Sequence, residues 1–167
     1  MLRWDLIVPA LLLSALLVAG VLVVAARGVP ALRRWLVVVA IGVATMPVAI
    51  LLHNVLSAIL DTEEGVLFVI GITVAPLCIA AGIVGGAAVL LRERRDLGIP
   101  VAIAAGGLAL FALSSLLNLV VTTIWGEQDY QIAFNAVTVP LATTAAVVGA
   151  LWSLLALVVG RRRTATV

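Results

Sequence analysis

The sequence predicts an all-α fold: a polytopic integral membrane helix bundle of five transmembrane helices, forming one domain over residues 1–167. Three observations predict it. Apolar residues make up 65% of the chain and charged residues 11%, far outside the mix of a soluble domain. The apolar residues gather into long uncharged stretches of the length, about 20 residues, that a helix needs to cross a hydrocarbon core of roughly 30 Å. The remaining charges fall between those stretches, and their sign alternates from one loop to the next.

Taken in order, the predicted helices are 6–26, 35–60, 66–91, 99–125 and 135–160. The first follows Arg3-Trp4-Asp5 and closes on Arg27. Val24-Ala25-Ala26 loosely resembles a signal-peptide cleavage site. Yet the apolar run exceeds a typical signal core, and cleavage would strand Arg27, Arg33 and Arg34 on the outer face, so a retained helix is expected. The later four are longer than the minimum, which predicts tilt, kinks or protruding ends. Pro47, Pro76 and Pro140 each remove a helical hydrogen bond and should bend their helices. Thr45, Thr73 and Thr138 stand nearby, where a hydroxyl is expected to satisfy the freed carbonyl. Short connections make successive helices antiparallel neighbours.

Arginine orients the bundle, because short basic loops stay on the cytoplasmic side and acidic residues have little say. Arg27, Arg33 and Arg34 follow the first helix, Arg92, Arg94 and Arg95 the third, and Arg161, Arg162 and Arg163 the fifth. The other two loops hold Asp61, Glu63 and Glu64, then Glu127 and Asp129, without a basic residue. The N-terminus is therefore expected outside and the C-terminus inside, with Trp4 and Trp125 at the outer interface and Trp35 at the inner one. The chain contains no lysine, and its small net positive charge gives no reason to expect nucleic-acid binding.

A shift of about 64 residues superposes Asn54 on Asn118, Glu63 on Glu127, Pro76-Leu77 on Pro140-Leu141 and Gly85 on Gly149. Read as a duplication, it makes helices 2–3 and 4–5 two copies of one hairpin, each with a buried asparagine on its outward-running helix. Helical spacing sets His53, Ser57, Asp61 and Glu64 along one stripe and Asn118, Thr122 and Trp125 along another. The candidate intramembrane polar site is thus His53, Asn54 and Asn118. His53 is the only titratable group well inside a helix, and the amides serve equally as interhelical glue. The outer acidic loops, Asp61, Glu63, Glu64, Glu127 and Asp129, read as solvated turns, lacking the further oxygen ligands of a calcium loop.

Small residues four apart mark helix-packing faces, since close backbone approach is what drives association in lipid. Gly82 and Gly86 supply such a face on the third helix, Ala102 and Gly106 on the fourth, and Ala145 and Gly149 on the fifth.

Catalysis is not expected. No nucleophile and base, or acid and base, converge at one depth, and the chain has no glycine-rich phosphate loop. One His, one Cys (Cys78) and two Met are too few to close a metal or haem site in one protomer, so no metal and no cofactor are expected. The sequence predicts a multi-pass protein of a prokaryotic plasma membrane, in contact with the lipid bilayer and with a membrane-protein partner or with copies of itself. Its expected role is a non-catalytic accessory or scaffold subunit. The competing role is a small homo-oligomeric transporter or channel for a small solute, disfavoured by the lack of a mid-membrane Asp, Glu or Arg.

Overall fold

A computed structural model describes residues 4–60, 66–125 and 129–164. They form five helices: α1 (Trp4–Ala25), α2 (Leu32–Leu60), α3 (Val66–Glu93), α4 (Arg95–Trp125) and α5 (Asp129–Thr164). All five are long and apolar enough to cross a membrane. Each helix runs further than its uncharged stretch at one end or both, because the backbone ladder continues through the charged residues after the apolar run stops.

The arginine-side connections are short. Residues 26–31 link α1 to α2 through backbone turns, with Val29 N–H donating to the Ala25 carbonyl at 3.0 Å and Arg33 N–H to that of Pro30 at 3.0 Å. Arg94 alone separates α3 from α4. Its N–H donates to the Leu90 carbonyl at 2.7 Å, and its own carbonyl accepts from Gly98 N–H at 2.8 Å. That corner requires a glycine: a Cβ on Gly98 would lie 2.5 Å from the Leu91 nitrogen.

Successive helices pack antiparallel, with α2 on α3, α3 on α4, and α4 on α5; α1 lies chiefly against α5. Among the described residues α2 touches only α3 and, less broadly, α1, which leaves it at the edge of the bundle. Burial follows: 12% of the α2 span is enclosed against 56% of α4. The buried positions of α1 (Leu11, Ser14, Val18, Val21, Leu22 and Ala25) recur at the helical period of three and four, a single stripe facing the other helices.

The interhelical registers gather the arginine-bearing helix ends at one end of the bundle. Trp35 and Val39 of α2 meet Gly82 of α3, Gly42 meets Cys78 and Ile79, Leu22 of α1 meets Gly86, and Arg94 lies beside Gly160 of α5. The largest fully enclosed side chains, among them Leu22, Leu32, Ile83, Leu90 and Leu97, all lie within about 15 Å of this end along their helices. Among the described residues, the largest fully enclosed side chains thus gather near the arginines.

Two proline sites differ from expectation. Thr45 Oγ1 donates to the Ile41 carbonyl at 2.7 Å and Thr138 Oγ1 to that of Phe134 at 2.9 Å. The carbonyls left free by Pro47 and Pro140 belong to Val43 and Ala136. A helical hydroxyl reaches the carbonyl four residues back on its own face, and one only two residues back points elsewhere.

Candidate functional site

Polar residues inside an apolar bundle are where chemistry or specificity could reside, since each one must find a partner there. Asn118 of α4 is half-buried, and its Nδ2 donates to Oδ1 of Asn135 on α5 at 2.7 Å. The amide bridge fastens the α4–α5 hairpin. Thr122 Oγ1, one turn further on, donates to the Asn118 carbonyl at 2.7 Å. Ser114, one turn nearer the arginine end, is 4% exposed, and its hydroxyl makes no hydrogen bond to the described residues.

Asn135 went unread in the sequence although a signal was present. Asn118 and Asn135 stand at nearly equal distances on either side of residue 127, so folding the hairpin at that loop brings them level. Under the 64-residue shift Asn135 corresponds to Gly71, so the first hairpin carries no counterpart of the bridge. Nor does it hold a buried asparagine. Asn54 is exposed on the surface of α2. His53 lies in α2, and its side-chain surroundings are outside the described residues. So are Asp61, Glu63, Glu64 and Glu127, and the side chain of Asp129, whose backbone opens α5.

Depth can be counted from the arginines at about 1.5 Å per helical residue. Asn54 stands about 30 Å along α2 from Arg34, and Asn118 about 34 Å along α4 from Arg95. A hydrocarbon core of roughly 30 Å anchored at the arginines ends at about these levels. The two amides therefore stand at comparable distances from the arginine end.

The glycines of the small-residue pairs differ in what surrounds them. A Cβ on Gly82 would lie 2.5 Å from Val39 Cγ2 and 2.9 Å from the Trp35 carbonyl oxygen, and one on Gly86 would lie 3.0 Å from the Leu22 methyls. A Cβ on Gly149 would strike the backbone nitrogen and Cα of Ala104. Gly106, by contrast, is exposed with nothing within 4 Å of its Cβ position. Its neighbour Gly107 makes the close approach, 2.5 Å from the Ala142 carbonyl oxygen and from the Ala146 nitrogen. One residue along a helix turns the side-chain direction by about 100°, enough to exchange a seam for an outward face. Gly42 and Gly85 are further seam residues, the latter beneath the Trp35 ring.

A cavity of about 190 Å³ lies among α1, α3 and α4, lined by apolar residues that include Leu12, Ala15, Pro76, Ala80 and Phe111. Leu11 and Leu108 of the apolar core form part of its wall. Ala15 and Ala80 are too short to close the gap between helices there. A space so lined favours apolar contents.

Among the described residues no group of three or more His, Cys, Asp or Glu is placed to hold a metal ion. At the arginine end, Arg94 Nη2 pairs with Asp96 Oδ2 at 3.1 Å, both side chains about half exposed. The Arg34 guanidinium lies 5.5 Å from the centroid of the Trp35 ring, a cation–π contact. No protein-family model matches this sequence, and comparisons with curated proteins and with solved structures find no match, so its function has to be read from its own residues.

Proposed function

We propose that this chain is a non-catalytic accessory or scaffold subunit of a membrane complex, with its N-terminus outside and its C-terminus inside. The observation that carries the reading is the edge position of α2. Its span is the least enclosed of the five, and its exposed side chains, Val37, Ile41, Val43, Val48 and Leu51 among them, offer a long apolar surface to lipid or to a neighbouring helix. The interior supports the same reading. The α2–α3 and α4–α5 seams close to backbone contact at Gly82, Gly107 and Gly149, and the Asn118–Asn135 amide pair is spent on the hairpin itself. The arginine-bearing end favours the proposed orientation through the charge rule.

The second reading, a small homo-oligomeric transporter or channel, draws on the exposure of Asn54, which would line a path between protomers. The experiment that separates the two is purification of the tagged chain from its membrane in mild detergent, with mass spectrometry of what accompanies it. A stoichiometric membrane partner is expected. Recovery solely as copies of this chain would overturn the accessory reading and favour transport.

A further inference from the structure

The arginine end is not electrostatically uniform. Two helices begin there, and α4 carries an acidic residue, Asp96, in its first turn, which suits the positive end of a helix dipole. α2 begins with none; its first turn instead carries Arg33 and Arg34, the less favourable sign. Arg27 stands in the preceding turn. Arg92, in the last turn of α3, comes level with that turn when the α2–α3 register, Val39 against Gly82 and Trp35 against Gly85, is continued toward the end. All four arginines are exposed, as is Glu93 next to Arg92, and among the described residues Arg94, at the α3–α4 corner, pairs with Asp96. The Trp35 ring, seated on Gly85, holds the Arg34 guanidinium at 5.5 Å, fixing one cation at headgroup depth.

We propose that this corner, formed by Arg27, Arg33, Arg34 and Arg92, binds the phosphate headgroup of an anionic membrane phospholipid. Charge complementarity selects the ligand: four exposed guanidiniums and an unoffset helix N-terminus, set at the boundary of the apolar layer, match a phosphodiester whose acyl chains lie beside α2 and α3. The lipid supplies the negative charge that the first turn of α2 lacks.

The test is native mass spectrometry of the protein released from mixed micelles of phosphatidylglycerol and phosphatidylcholine. Preferential retention of phosphatidylglycerol is expected. Each arginine near a charged headgroup is worth about a fivefold change in affinity, so Arg33→Gln with Arg92→Gln should lower that retention about 30-fold. Arg95→Gln, beside Asp96, should leave it within about twofold. Equal retention of the two lipids by the unaltered protein overturns the proposal, as does a loss in Arg95→Gln equal to that of the double variant, which would mean a diffuse field. Displacement of the lipid by millimolar inorganic phosphate would assign the corner to a free anion instead. Should the double variant fail to fold, salt decides with the unaltered chain: retention of phosphatidylglycerol must fall as sodium chloride rises, and a salt-independent value refutes the proposal.

Discussion

Replacing Gly149 with alanine tests the α4–α5 seam with a single methyl group. The added Cβ would strike the backbone nitrogen and Cα of Ala104, atoms that cannot rotate aside, so the two helices must part. Overpacking a tight contact costs about 1–3 kcal/mol, and a collision with backbone belongs at the upper end. Alanine returns about 1 kcal/mol through its better helix propensity, leaving a net loss of about 2 kcal/mol. The matched control is Gly106→Ala, whose Cβ position has nothing within 4 Å; it should be neutral or gain up to about 1 kcal/mol. The two variants should thus differ by about 3 kcal/mol, or more than about a hundredfold in the folding equilibrium. The assay is reversible unfolding by dodecyl sulfate titration in mixed micelles, followed by tryptophan fluorescence. Equal destabilisation by the two substitutions would refute the seam, and a loss confined to Gly106→Ala would mean that α4 faces α5 with its other side.

Three further predictions follow from the same geometry. A double-mutant cycle on Asn118→Leu and Asn135→Leu should give a coupling of about 0.6–2 kcal/mol, and a coupling of zero would mean the amides do not meet in the membrane. Ala80→Val, which extends a side chain into the 190 Å³ cavity, should raise stability by about 0.5–2 kcal/mol; a loss would show that space to be already filled by protein. On a Cys78→Ala background, single cysteines at positions 31 and 94 should label only after permeabilisation and those at 62 and 128 from outside, and any reversal overturns the orientation.

The class of fold was legible because lipid imposes one demand on the whole chain, roughly 20 uncharged apolar residues per crossing, and five stretches meet it. The ends of the helices were less so. Arg95-Asp96 and Arg161–Arg163 lie outside any apolar run yet inside α4 and α5, since backbone hydrogen bonding is indifferent to where hydrophobicity stops. Faces were hardest to read. With nearly every position apolar, periodicity barely separates inward from outward, so Gly106 and Gly107 look alike in sequence while only the latter meets α5. Asn54 and Asn118 likewise look equivalent, and their difference comes from a third residue, Asn135, whose relevance depends on where the α4–α5 hairpin folds.

The uneven placing of the core carries a mechanical consequence. Leu22, Leu32, Ile83, Leu90 and Leu97 clamp the bundle near the arginines, whereas the opposite half contains the cavity between α1, α3 and α4. Parting the helices at the arginine end would separate these packed side chains, whereas the walls of the cavity already stand apart, so the described part of the bundle resists distortion more at the arginines than at the cavity. A change in the lateral pressure of the surrounding lipid would accordingly be taken up first at the cavity, where α1, α3 and α4 stand apart, while the arginine end keeps its shape.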